Sequence, residues 1–206
     1  MKTKLKYVVV VLIMIFVSSG FIYKNNKTIK YNLPKKDAVM TAPTELEALY
    51  TPQIPFLGKS FIGFKQALAF KESRIDYNCI NTLGYLGKYQ FGRSTLKRFK
   101  IHNTKKFLKE PLLQEDAFKA LLSVNKWILR KDIKRKVGKR INGILVTESG
   151  ILAASHLAGA GNVKKYLRSN GKINFEDAYG SNIEHYLKKF AGYDTSYIKA
   201  DRMARI

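Results

Sequence analysis

The sequence predicts a mainly helical domain interrupted by one short β-hairpin or loop segment, on three observations. Apolar side chains recur at helical spacing in stretches near residues 58–72, 111–130 and 147–167. Hydroxyl or amide residues able to cap a helix stand before several of these stretches. The interval 77–92 is instead rich in Tyr, Asn and Gly, a composition that suits a hairpin or a turn-laden loop.

A length of 206 residues fits one domain with an appendage. Lys2, Lys4 and Lys6 precede an uncharged, mostly apolar run over residues 7–23. That run is long for the apolar region of an export signal and short for a spanning helix. Residues 1–23 therefore read as a signal peptide or an N-terminal membrane anchor, with the rest of the chain exported to the periplasm or cell envelope. Val17 and Ser19 offer a small-residue cleavage site, while Lys24, Lys27 and Lys30 weaken the charge asymmetry across the run. Residues 24–45 are polar, basic and without period, as a linker is. Residues 46–206 are enough for one hydrophobic core. Cys79 is the only cysteine, which excludes an internal disulfide and reads as a small core filler.

Within that domain the first helix spans about 58–72, with Phe61, Phe64, Leu68 and Glu72 on one face. Ser94 is placed to cap a short helix to about Lys100. Pro111 opens the strongest helix, to about Arg130. Glu115 and Asp116 lie near its start, and Leu113, Ala117, Ala120, Leu121, Val124 and Ile128 form its apolar face. Trp127 sits at the edge of that face. Residues 131–140 hold six cations in ten positions and read as a solvated surface. Thr147 or Ser149 caps the next helix, and Gly159 and Gly161 break it before a further helix ending near Gly171. Ser181 or Asn182 caps the last helix, with Gly192 as its stop.

Candidate chemistry concentrates in Lys71–Gly92, KESRIDYNCINTLGYLGKYQFG. A carboxylate at the foot of an apolar stripe is either a solvated helix end, here flanked by Lys71 and Arg74, or a group held where a general acid is needed. Burial favours the protonated form of a carboxylic acid, the form that can deliver a proton. Downstream of Glu72-Ser73 come Gly84, Gly87 and Gln90. This register resembles that of the lytic transglycosylases of the lysozyme-like superfamily, whose motif is Glu-Ser, Gly-x-x-Gly and a following Gln. Two shorter stretches extend the resemblance over roughly residues 58–193. Ala158, Gly159, Gly161 and Val163 match the family's Ala-Tyr-Asn-Ala-Gly-x-Gly-x-Val motif, with His156 and Leu157 at its Tyr and Asn positions. Tyr186, in NIEHYL, matches the Tyr of its Thr-x-x-Tyr helix.

The resemblance implies a lysozyme-like fold and a cleft for peptidoglycan glycan strands, with Glu72 as the single acid and base. Ser73 and Gln90 would orient the acid and the sugar. Tyr89 and Tyr186 would offer flat faces to pyranose rings, and Gly159 and His156 would line the cleft opposite. The reaction implied is cleavage of the bond between N-acetylmuramic acid and N-acetylglucosamine, closing an anhydromuramic ring. No cofactor and no metal is called for, and the three histidines show no ligand spacing. Most glycosidases use two carboxylates. Asp76 and Glu148 are the candidates for a second one, and neither falls at a fitting place. A muramidase on the same fold, or a non-catalytic basic wall-binding protein, are the competing readings.

The formal charge of +23 creates a field that attracts polyanions. On an exported chain these are anionic wall polymers, the peptidoglycan itself or a membrane surface. No nucleic-acid-binding motif is visible.

Overall fold

The computed structural model describes residues 57–206. The expectations for residues 1–23 and 24–45, and the start of the domain at 46, lie outside the described residues. The fold is mainly helical, as the sequence predicts, with one short antiparallel hairpin.

Helix α1 runs Phe61–Ser73. It starts three residues later than expected, because the Ser60 hydroxyl accepts from the Gly63 N–H at 3.1 Å and fixes the N-terminus there. Phe64 and Leu68 are fully buried, so the predicted stripe faces the core. The helix ends without a glycine. Arg74 and Ile75 both take left-handed backbone (φ 58° and 71°), and the Ile75 N–H closes on the Ala69 carbonyl. Such conformations cost side-chain-bearing residues roughly 1–2 kcal/mol each, so tertiary contacts must hold this turn.

The interval after α1 is a turn-laden loop. Leu86 makes isolated antiparallel bridges to Ile80 and Phe91, and Gly84 and Gly87 supply left-handed backbone between them. Helix α2 (Arg93–Arg98) begins at Gly92 with no side-chain cap, so Ser94 lies inside the helix instead of before it. Helix α3 (Thr104–Lys109) is capped by Asn103.

Helix α4 spans Pro111–Lys136, six residues beyond the expected end at Arg130. Arg130 and Lys131, cations of the kind that favour a helix C-terminus, therefore lie in its interior. Its buried residues are Gln114, Ala117, Phe118, Ala120, Leu122, Val124, Asn125, Leu129 and Asp132, which keeps Ala117, Ala120 and Val124 of the predicted face and adds a polar edge. Leu113, Leu121 and Ile128 pack only against the margin of the core. Trp127 lies half-buried under the guanidinium groups of Arg130 and Arg202, 4.0 and 5.3 Å from its ring.

Strands β1 (Arg140–Ile141) and β2 (Ile144–Leu145) form an antiparallel hairpin. Asn142 and Gly143, both at positive φ, make its turn, the pair that a two-residue hairpin favours. This hairpin lies within and just after the basic run that the sequence reading left as surface.

Helix α5 (Glu148–Arg168) is capped by the Thr147 side chain and packs against α4. Gly159 takes φ 76°, ψ 150° and kinks it, as expected, whereas the chain at Gly161 stays helical and breaks nothing. Helix α6 (Ile183–Lys189) is capped by Asn182 and packs on α5. The core joins α1, α4 and the chain after α6, where the Phe64 ring meets Phe118, Phe190 and Tyr193 at 5.8–6.5 Å. Burying each such ring contributes about 1.5–3 kcal/mol.

Candidate active site

Helix α1 delivers Glu72 at its last turn, and the cap at Arg74 turns the chain away immediately after. The carboxylate is half-buried and lines a cleft of about 430 Å³. Around it stand Gln90 from the glycine-rich turn, His156 and Leu157 from α5, Tyr186 from α6, and two loops, 81–85 and 175–181. The Tyr186 hydroxyl donates to Glu72 Oε1 at 2.7 Å. Burial, and then the negative charge of Glu72, push the Tyr186 phenol well above its ordinary range, so it stays a neutral donor.

Ser73 does not line this cleft. Its hydroxyl accepts from the Asp76 N–H at 3.0 Å and donates to the Lys88 carbonyl at 2.8 Å. It thereby ties the turn after Glu72 to the turn that carries Gln90. Gln90 takes left-handed φ (50°), and its Nε2 donates to the Gly87 carbonyl at 2.8 Å. His156 Nε2 pairs with the Tyr89 carbonyl at 2.7 Å. A carbonyl only accepts, so Nε2 carries the proton in this pair.

Three expected roles are corrected by these positions. Tyr89 is fully buried, its ring stacked on Phe118 at 3.9 Å and 5° between planes, so it presents no face to a sugar. Tyr186 is 2% exposed and reaches the cleft with its hydroxyl rather than its ring. Gly159 forms the α5 kink and is not among the residues lining the cleft. The exposed aromatic faces there belong to Tyr85 and Tyr179. Their loops meet where the Thr82 and Tyr179 hydroxyls lie 2.6 Å apart.

Behind the cleft lies a charged cluster that helical periodicity gave no reason to expect. Glu115 of α4 accepts from Lys65 and Lys88 at 2.6 and 2.7 Å. It also accepts from the hydroxyls of Tyr77 and Tyr89 at 2.9–3.0 Å. Burial opposes its charge, but the bonds from Lys65, Lys88 and Tyr77 outweigh burial and lower its pKa to about 2. Burial together with Glu115 pushes the Tyr89 phenol far up, keeping it a donor. Gln114, fully buried beside Glu115, accepts from the Lys88 N–H at 2.8 Å and donates to the Tyr77 and Phe107 carbonyls. The turn 87–90 is thus gripped from behind by α4. Its carbonyls at Lys88 and Tyr89 meet Ser73 and His156 in front.

Of the two other carboxylates considered, Asp76 is exposed beyond the helix end. Glu148 is bound to Lys126 Nζ at 2.6 Å and the Thr195 hydroxyl at 2.7 Å. Neither lines the cleft. Glu176 and Asp177, which the sequence reading passed over, do. Asp177 Oδ1 is occupied by the N–H groups of Tyr179 and Ser181. Cys79 is half-buried and free, more open than a core filler. Among the described residues no group of three His, Cys, Asp or Glu side chains is arranged to hold a metal ion, and no helix is long and apolar enough to cross a membrane. Compared with protein-family models, with curated proteins and with solved structures, the chain has no match.

Proposed function

We propose that this chain cleaves peptidoglycan glycan strands as a lytic transglycosylase, with Glu72 as both acid and base. The observation that carries the reading is the Glu72 carboxyl in a cleft, held on one oxygen by the Tyr186 hydroxyl. In the first step Glu72 passes its proton to the glycosidic oxygen as the C1–O bond of the muramic acid breaks. In the second, the Glu72 carboxylate takes the proton of that sugar's 6-hydroxyl while O6 bonds to C1. The anhydro ring closes and the acid is regenerated, without water and without a second carboxylate. Tyr85 and Tyr179 are the aromatic faces available to stack on sugar rings. On this reading the domain works outside the cytoplasmic membrane, and protease added to spheroplasts should digest it.

A muramidase is the second reading, because Glu176 and Asp177 line the same cleft and offer the carboxylate that a two-acid hydrolase needs. Mass spectrometry of digested peptidoglycan separates the two. Anhydromuramic ends that disappear in Glu72→Gln and persist in Glu176→Gln support the transglycosylase. Reducing muramic acid ends, lost in both variants, support the hydrolase. If the folded wild-type protein yields neither product, both readings are overturned and a wall-binding protein is left.

A further inference from the structure

Away from the cleft residues, the C-terminal turns of α4 and α5 meet around a buried carboxylate. Asp132 is 1% exposed, yet its Oδ1 accepts from Arg135 of its own helix at 2.6 Å and from Arg168 of α5 at 3.1 Å. Lys136 joins the two ends again through the Asn170 side chain. Burial works against the charge on Asp132, and the two guanidinium bonds outweigh it, leaving its pKa below the ordinary range. Both arginines stay more than half exposed, at 55% and 56%.

No exposed acid from these segments balances the cations. Residues 133–147 carry five Lys or Arg and residues 149–175 carry four, with no Asp or Glu in either segment. Glu184, which α6 brings to this end, is held by Asn142 and Tyr166. Cations at helix C-termini offset the helix dipoles, and that accounts for a few of them. It does not account for an interior carboxylate that grips two arginines from different helices. A buried charge is retained at a cost in desolvation, and fixing the geometry of its partners is what it offers in return. Each arginine uses one N–H group on Asp132, which leaves the rest of its planar fork open to solvent.

We propose that this arginine pair is a docking surface for a phosphodiester-linked anionic wall polymer, with Arg135 and Arg168 as the phosphate-binding groups. Oriented forks match phosphate oxygens in pairs, and Lys134, Lys139 and Lys172 add attraction along the strand. Nucleic acid fits less well. Among the described residues the exposed large aromatic rings lie on α1, on the cleft loops and at Tyr197, and none of them stands at this end as a platform for bases. A bilayer would respond to total charge rather than to two positioned forks. The inference rests on the proposed reading only for the compartment in which such a polymer is met.

The test measures binding of the full chain, in detergent, to soluble poly(glycerol phosphate) at near-physiological salt; it does not read glycan cleavage. Arg135→Lys with Arg168→Lys keeps every charge and removes both forks. Asp132→Leu raises the net charge by one and releases both arginines. The docking surface requires each variant to bind ~10-fold or more weakly, on the usual strength of charge-assisted bonds. A general field requires unchanged binding for the first and tighter binding for the second, and that result overturns the proposal. Circular dichroism checks folding, and should Asp132→Leu fail to fold, the arginine pair alone decides. Duplex DNA and phosphatidylglycerol vesicles form the parallel arms. If either loses affinity with these variants while the polymer does not, the partner is that one and the proposal fails.

Discussion

The Tyr186 hydroxyl and Glu72 Oε1 stand 2.7 Å apart, although 114 residues separate them in the chain. Nothing local in either helix makes this contact; the packing of α6 beside the end of α1 does. The tyrosine is a fixed neutral donor, so it orients the carboxyl without exchanging a proton with it. Tyr186→Phe removes only the hydroxyl. We expect glycan cleavage to fall ~10–100-fold, the range for a hydrogen bond to a charged group, with less change in KM than in kcat. Steady-state kinetics on purified glycan checks it, and unchanged kcat would remove Tyr186 from the mechanism.

Glu115 should make the domain sensitive to acid. Its folded pKa, about 2, lies below the ordinary value of 4.5, so unfolding takes up a proton between those values. The stabilisation is complete above about pH 4.5 and is lost as pH falls toward 2. Its size is on the order of 3 kcal/mol. Glu115→Gln leaves Lys88 buried without its counter-charge and should cost roughly 3–5 kcal/mol at neutral pH. Urea unfolding across pH 2–7 reads both effects, and the variant should lose less stability than the wild type over the acidic part of that range.

Tyr179 is 61% exposed on the cleft, whereas Tyr89 is fully buried. Tyr179→Ala should therefore raise KM for long glycans while leaving the melting temperature within a few degrees. Tyr89→Phe should instead lower stability, because it removes a donor from Glu115, by about 1 kcal/mol or more. Equal melting temperatures with a raised KM for Tyr89→Phe would reverse this assignment.

Gly87→Ala tests the grip of α4 on the site. Gly87 has φ 75°, and a methyl group there would collide with the Gln114 amide, which is itself bonded to the Lys88 N–H. Backbone strain and collision together should destabilise by about 2 kcal/mol or more and reduce cleavage. Thermal denaturation and a zymogram check the two effects. At Gly84, where an added Cβ meets nothing, only the strain should remain.

The sequence by itself determined the helices whose signals are local. Thr147 and Asn182 cap through their own side chains, Pro111 fits a first turn, and Gly159 breaks α5 because it has no Cβ to forbid left-handed backbone. The family resemblance carried by Glu72 and Gln90 implied a shared cleft, and both residues line one. The Asn142-Gly143 turn was also legible, as an Asn-Gly pair just after the basic run 131–140. Tertiary structure decided what periodicity cannot express. Whether Tyr89 faces sugar or core depends on Glu115, a residue that looks like an ordinary acid in the first turns of a helix. The burial of Asp132 as a charge depends on Arg168 arriving from another helix. Local propensity acts within a few residues, whereas the stability of a buried charge is set by partners far away in the chain. The positions of buried or half-buried charges such as Asp132 and Glu115 were therefore ones that only the fold could fix.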